Sequence, residues 1–166
     1  MILAKRLSLD GHTVVNTTNG QEGLEVVTND PNFDCVLMDI QCVIPNYEHF
    51  CPTDLVYRMP LLNGYEATKR IRVVEQDRDL ADRASHKLNG RVPIFAVSAS
   101  LFENQREELF SLGMDGWILK PIDFKRLKTI LRGVVDPSQR EKDVYHPTAS
   151  WELGGWFSLP DSKADL

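Results

Sequence analysis

The chain has 166 residues, of which 42% are hydrophobic and 26% are charged, and its net charge is −5. This length accommodates one domain with a sizeable core, and the composition is typical of a globular protein. The negative charge argues against a nucleic-acid-binding surface as the main function. No apolar stretch approaches the ~20 residues of a membrane span.

The cysteine content and the N-terminus indicate the compartment. Cys35, Cys42 and Cys51 lack the spacing of a metal site, and their odd number gives no complete disulfide framework. The first residues lack the order of basic, apolar and small residues that marks a signal peptide. We therefore expect an intracellular, reducing location, in the cytoplasm or the nucleus.

Apolar patterning predicts alternating helices and strands, and hence an α/β fold with a parallel sheet. In chain order the predicted elements are the end of a helix at Met1–Asp10, a strand at His12–Thr17, a helix at Gln21–Asn29, a strand ending at Asp39, a helix from Asn63 or Gly64 to about Gln76, a strand at Val92–Ser98, a helix at Phe102–Leu112, a strand at Gly116–Leu119 and a helix at Phe124–Val134. Residues 77–91 are polar and are expected to be a loop or a frayed helix end.

The domain is predicted to span residues 1–134, because no hydrophobic period continues beyond that point. Residues 135–166 are mostly polar and place Trp151 and Trp156 among glycine and serine residues. We expect this tail to be disordered or loosely docked.

One polar residue lies at the end of each of three apolar strands: Asp39, Ser98 and Lys120. The carboxyl ends of strands in an open α/β sheet meet at one crevice. There a carboxylate could attack phosphorus, while an ammonium group and a hydroxyl stabilise the transferred oxygens. Taken singly, the three residues are better explained as a loop cap, a helix cap and a surface lysine. Their coincidence at equivalent positions favours a site for phosphoryl transfer.

Four segments resemble the receiver domain of response regulators, in the form found in fungal hybrid histidine kinases. They are VLMDIQ at 36–41, MPLLNG at 59–64, PIFAVSA at 93–99 and GWILKPI at 116–122. The resemblance implies a flavodoxin-like, doubly wound parallel sheet of five strands. It also implies a phosphoprotein of a two-component phosphorelay, in which Asp39 accepts a phosphoryl group from a histidine kinase or a histidine phosphotransfer protein.

The resemblance also assigns roles around Asp39. Ser98 and Lys120 would contact the phosphoryl group, and Ser98 and Trp117 would act as the switch residues. The peptide bond between Lys120 and Pro121 would be cis. Neither nucleic acid nor membrane is expected as a partner.

The chain departs from the family at the start of the domain. Receiver domains begin with a central strand that ends in two acidic residues, and these residues hold Mg²⁺. Here Met1 corresponds to the first helix, so we expect an N-terminally truncated sheet that lacks this strand. The expected Mg²⁺ site is then incomplete, with Asp39 and the backbone carbonyl of Gln41 as its remaining ligands.

A second departure follows the phosphoacceptor. Removing Cys42–Arg58 joins Gln41 directly to Met59, and the joined sequence DIQMPLLNG matches the family pattern without a gap. A long loop without secondary structure is unusual inside a compact domain. We therefore interpret residues 42–58 as an insertion and hypothesise that they are a translated intron, with a genuine lineage-specific loop as the alternative.

Three functions follow from these observations. The first is a phosphoacceptor receiver that at most phosphorylates and dephosphorylates itself and is not a conventional enzyme. The second is a receiver-like binding module that cannot be phosphorylated, because the acidic pair is absent. The third, a flavodoxin-like redox or nucleotide-binding enzyme, is disfavoured because no glycine-rich phosphate loop follows any predicted strand.

Overall fold

A computed structural model of the chain describes residues 2–40, 62–76 and 90–158. These residues form the helices α1 Ile2–Leu9, α2 Gly20–Asn29, α3 Gly64–Gln76, α4 Arg106–Ser111, α5 Phe124–Arg132 and α6 Pro137–Asp143, the strands β1 Val36–Asp39, β2 Ile94–Ser98, β3 Gly116–Leu119 and β4 Gly155–Trp156, and 3₁₀ turns at Glu103–Gln105 and Trp151–Leu153. None of the described helices combines the length and the hydropathy that crossing a membrane requires.

Polar side chains fix the starts of three helices. The side chain of Asn19 accepts a hydrogen bond from the first turn of α2 at 2.9 Å, and that of Asn63 does the same for α3 at 2.8 Å. Asp123 accepts two backbone N–H groups at the start of α5. Such caps satisfy donors that a helix leaves unpaired, and for this reason the predicted starts agree with the structure to within one residue.

The sheet has the order β1–β2–β3–β4. β1, β2 and β3 run parallel, and β4 adds an antiparallel pair at the edge of β3. Asp39 lies opposite Val97, and Ser98 lies opposite Leu119. The predicted α/β class with a parallel sheet is confirmed, and the register brings the carboxyl ends of three strands to one edge.

The prediction of a strand at His12–Thr17 is wrong, because these residues have no strand pairing in the structure. Val14 packs against the core, whereas Val15 is exposed. A strand needs a neighbour with which to exchange backbone hydrogen bonds. Within the described residues β1 pairs only with β2, so no strand borders residues 12–17.

Apolar side chains cover both faces of the sheet, as expected for parallel strands. On one face Met38, Ala96 and Trp117 pack with α3, and on the other Phe95, Val97 and Ile118 pack with α5. Every residue of β2 is buried. This two-sided burial holds the strand ends in fixed positions and leaves their carboxyl edge for polar groups.

The described part of the tail differs from the expectation of a disordered or loosely docked segment. Trp156 is fully buried in β4, with its ring edge-to-face with Phe95 at 4.7 Å and the Arg140 guanidinium group 4.2 Å above it. Its indole N–H donates to the Ile130 carbonyl at 3.1 Å. The tail lacks a hydrophobic period because a few large rings, rather than a regular face, attach it to the sheet.

A buried carboxylate joins the amino ends of the strands. The side chain of Asp115 is fully buried and accepts hydrogen bonds from Arg72 at 2.7 Å, from Arg91 at 2.9 Å and from the Ile94 N–H at 2.9 Å. Arg72 also pairs with Glu75 at 2.6 Å. Buried charges are tolerated when they are paired in this way, so the cluster links α3, β2 and β3.

We expect Asp115→Asn to lower the free energy of unfolding by about 3 kcal/mol, because it removes the buried charge that pairs with both Arg72 and Arg91. Urea unfolding followed by circular dichroism measures this loss. The matched control is Asp10→Asn, which removes a more exposed ion pair with Arg6 and should cost less than about 1 kcal/mol. Equal losses in the two variants would contradict a structural role for the buried cluster.

Candidate functional site

The site is built from an ion pair at the carboxyl edge of the sheet. Asp39 is the last residue of β1, and Lys120 directly follows β3. The Lys120 Nζ lies 2.7 Å from the Asp39 Oδ2. Because β2 lies between β1 and β3, the two side chains meet across its end. Both remain accessible, with 62% of the Asp39 side chain and 40% of the Lys120 side chain exposed.

Ser98 lies at the end of β2, between these two strands. Its carbonyl accepts the Lys120 N–H at 2.8 Å, which fixes the start of the Lys120 loop. Its hydroxyl accepts the Ser100 N–H at 3.2 Å, and the residue is 2% exposed. No hydrogen bond of the described residues joins this hydroxyl to Asp39 or Lys120. The structure therefore brings two of the three predicted side chains into contact and leaves the third at the neighbouring strand end, turned to its own loop.

Trp117, the predicted switch aromatic, lies inside a cluster of rings and is fully buried. It stacks on Trp151 at 4.0 Å and on Phe157 at 5.2 Å, and Tyr145 meets it edge-on at 5.3 Å. Its indole N–H donates to the Trp151 carbonyl at 3.0 Å. We call Trp117, Tyr145, Trp151 and Phe157 the aromatic cluster. The sequence places Trp151 in the tail without indicating that it packs on Trp117, and Tyr145 and Phe157 were not predicted, although isolated aromatic residues in a polar tail are a usable signal.

Two further predictions concern the surroundings of Asp39. The peptide bond between Lys120 and Pro121 is cis, as predicted. Gln41, the second predicted Mg²⁺ ligand, and the predicted insertion at 42–58 lie outside the described residues.

The described residues do not fit a Mg²⁺ site. Mg²⁺ requires near-octahedral oxygen ligands. Within residues 2–40, 62–76 and 90–158, no group of three or more histidine, cysteine, aspartate or glutamate side chains could hold a metal ion. The carboxylate of Asp39 is already paired with the Lys120 ammonium group. Among the described residues, the oxygen donors at this edge therefore amount to one carboxylate with its own counter-ion.

Cys35, close to the start of β1, is a poor alternative nucleophile. Burial, and to a lesser extent the neighbouring Asp34 carboxylate, raises the pKa of its thiol to about 12. Only the thiolate form of a cysteine attacks electrophiles. At neutral pH the Cys35 thiol is therefore almost entirely protonated and is a poor nucleophile.

Comparisons with known proteins show what the chain is similar to. No family model matches the chain. Probable histidine kinase 1 of Oryza sativa subsp. indica is 28% identical over 156 residues, covering 82% of this chain and 14% of that protein. Probable histidine kinase 3 of Oryza sativa subsp. japonica is 30% identical over 135 residues, covering 76% of this chain and 11% of that protein. The chain thus spans a small part of the relatives it matches.

A solved structure settles the fold. The receiver domain of a sensor histidine kinase from Pseudomonas aeruginosa, with a magnesium ion coordinated in its active-site cleft, superposes with a TM-score of 0.54. The two sequences are 24% identical, and the match covers 81% of this chain and 85% of that one. The chain has the receiver-domain fold, as predicted. The fungal subtype stays a prediction.

We expect Asp39→Asn to change the free energy of unfolding by less than about 1 kcal/mol, because accessible ion pairs contribute little to stability. Urea unfolding measures the change. A loss as large as that of Asp115→Asn would show that the Asp39–Lys120 pair serves the fold.

We expect iodoacetamide at pH 8.5 to label folded Cys35 at least a hundredfold more slowly than the same peptide in urea. A thiol of pKa about 12 holds roughly a thousandth of the thiolate of an ordinary cysteine of pKa ~8.5 at that pH. Peptide mass spectrometry follows the labelling. Similar rates in the two states would contradict the raised pKa.

Proposed function

We propose that the chain is a phosphorelay receiver in which Asp39 accepts a phosphoryl group from a phosphohistidine. The donor would be a histidine kinase or a histidine phosphotransfer protein. The observation that carries this proposal is the 2.7 Å pair of Asp39 and Lys120 at the accessible carboxyl edge of a receiver-type sheet. A carboxylate there can be reached by a partner's imidazole, and an ammonium group is already in place beside it.

The phosphoryl transfer uses the carboxylate of Asp39, the ammonium group of Lys120 and the hydroxyl of Ser98. An Asp39 carboxylate oxygen attacks phosphorus, so that an O–P bond forms as the P–N bond to the donor breaks. The bonding electrons return to the imidazole, which takes up a proton from water. The Lys120 ammonium group then faces the transferred oxygens as well as the carboxylate and offsets their charge. The Ser98 hydroxyl would exchange its bond to Ser100 for one to the phosphoryl group.

The similarity to histidine kinases supports the class of partner. The matched segment is 14% or less of those proteins, and a solved receiver domain of a sensor histidine kinase shares the fold. This function agrees with the cytoplasmic or nuclear location that the sequence predicts. It also makes the chain a phosphoprotein that at most phosphorylates and dephosphorylates itself and is not a conventional enzyme.

A second function is favoured by the donor set at the site. The described residues offer no acidic cluster for Mg²⁺. The chain would then be a receiver-like module that binds its partner without being phosphorylated. In that case the binding surface is retained, and Asp39 serves only as the counter-ion of Lys120.

We expect incubation with acetyl phosphate to add one phosphoryl group to the chain, seen by intact mass and localised by peptide mapping to Asp39. Parallel incubations with Mg²⁺ and with EDTA measure the metal dependence. Asp39→Asn should abolish labelling. Lys120→Met should slow it about 10²–10³-fold, the usual cost of removing one group that stabilises transferred oxygens.

The matched control is Asp34→Asn. It makes the same change before the start of β1, at the opposite edge of the sheet, and should leave labelling unchanged. If no phosphoryl group is incorporated, and the parent and Asp39→Asn bind a histidine phosphotransfer protein equally well, the binding-module function is correct instead.

A further inference from the structure

Trp151 connects the tail to the loop that leaves the site. Its indole N–H donates to the Leu101 carbonyl at 2.8 Å, and Leu101 lies three residues after Ser98. Its ring stacks on Trp117 at 4.0 Å, and its carbonyl accepts the Trp117 indole N–H at 3.0 Å. A single tail residue is therefore bonded both to the Ser98 loop and to β3.

The other attachments of the tail fall into two groups. On the loop side, the Tyr145 hydroxyl donates to the Glu103 carboxylate at 2.6 Å. On the β3–α5 side, Arg126 donates to the Leu153 and Gly154 carbonyls, each at 3.0 Å. The same guanidinium group pairs with Asp143, which is buried. The tail thus bridges two parts of the molecule that meet at the carboxyl edge of the sheet.

The loop between these attachments is short and tied to Ser98. The Ser98 hydroxyl holds the Ser100 N–H, and Leu101 is 4% exposed. If the hydroxyl turns away from Ser100, the turn that positions the Leu101 carbonyl loses this bond. Because proteins are closely packed, a displacement of Leu101 would be transmitted to the indole it contacts.

We propose that the tail segment Tyr145–Phe157 is a built-in reporter of the site. A movement of the loop after Ser98 is transmitted to the tail through the contacts of Trp151. When Ser98 turns toward a phosphoryl group on Asp39, the tail loosens and uncovers the aromatic cluster. The trigger rests on the proposed function, whereas the coupling between the Ser98 loop and the tail does not.

A double-mutant cycle tests the coupling without phosphorylation. The readout is hydrogen exchange at two bonded tail amides, Tyr145 N–H to the Trp156 carbonyl and Phe157 N–H to the Asp115 carbonyl, both at 2.8 Å. Exchange at the Ala96 amide of β2 reports global unfolding. Trp151→Phe keeps a ring in the stack and removes the donor to Leu101.

Ser98→Ala should speed exchange of the tail amides about two- to tenfold in the parent chain, the range for one lost neutral hydrogen bond. In the Trp151→Phe background the acceleration should fall below about twofold. The matched control is Trp156→Phe, which also removes an indole donor of the tail, but one directed at Ile130 of α5. In that background Ser98→Ala should keep its effect.

Equal acceleration in the parent and Trp151→Phe backgrounds, or none in the parent, would overturn the coupling. The trigger is tested separately, on chains whose phosphorylation has been verified by mass. Phosphorylation should speed tail exchange in the parent and not in Trp151→Phe, and an unchanged rate in the parent refutes the trigger. If acetyl phosphate adds no phosphoryl group, the proposed function and the trigger fail together, while the cycle still decides the coupling.

Discussion

The parallel register of β1, β2 and β3 is the constraint on which the rest of the structure depends. It sets Asp39 opposite Val97 and Ser98 opposite Leu119, so residues distant in sequence reach the same edge. Both faces of the sheet are buried, so polar side chains of the sheet reach solvent at the ends of the strands, as Asp39 does here. A slip of one residue along β1 would turn Asp39 to the other face of the sheet and separate it from Lys120.

Two aspartates show how the ends of one sheet differ in chemistry. Asp115 lies at the amino end, fully buried, with its oxygens occupied by Arg72, Arg91 and a backbone N–H. Asp39 lies at the carboxyl end, largely exposed, with one ammonium partner. A carboxylate with all its acceptor positions used serves the fold, whereas one with accessible oxygens can meet an electrophile. Burial and partners, rather than residue type, separate the two roles.

Much of the fold could be predicted because its signals are local. Caps such as Asn19 and Asp123 mark helix starts, and short apolar runs mark buried strands. The contact between the Asp39 carboxylate and the Lys120 ammonium group could also be predicted, because both residues stand at the ends of predicted strands. The prediction of a strand at His12–Thr17 was wrong because a strand needs a neighbouring strand, and the local hydrophobic pattern does not show whether one is present. The bond between the Ser98 hydroxyl and the Ser100 N–H could not be predicted for a related reason, since the loop and not the strand decides it.

The tail shows what a hydrophobic period cannot detect. Gly154 has a φ of +64°, and a Cβ on Gly116 would overlap the Gly155 carbonyl oxygen. Glycines at these positions let β4 approach β3 closely, while the flanking rings provide the buried area. The pair Gly154–Gly155, which lies between Trp151 and Trp156, therefore indicates a docked edge strand better than it indicates disorder. The tail is attached to β3 and α5 by several buried contacts, whereas it contacts the loop after Ser98 mainly through the Trp151 bond to the Leu101 carbonyl and the Tyr145 bond to Glu103. A change at Leu101 therefore acts on the tail through few contacts, and chiefly through Trp151.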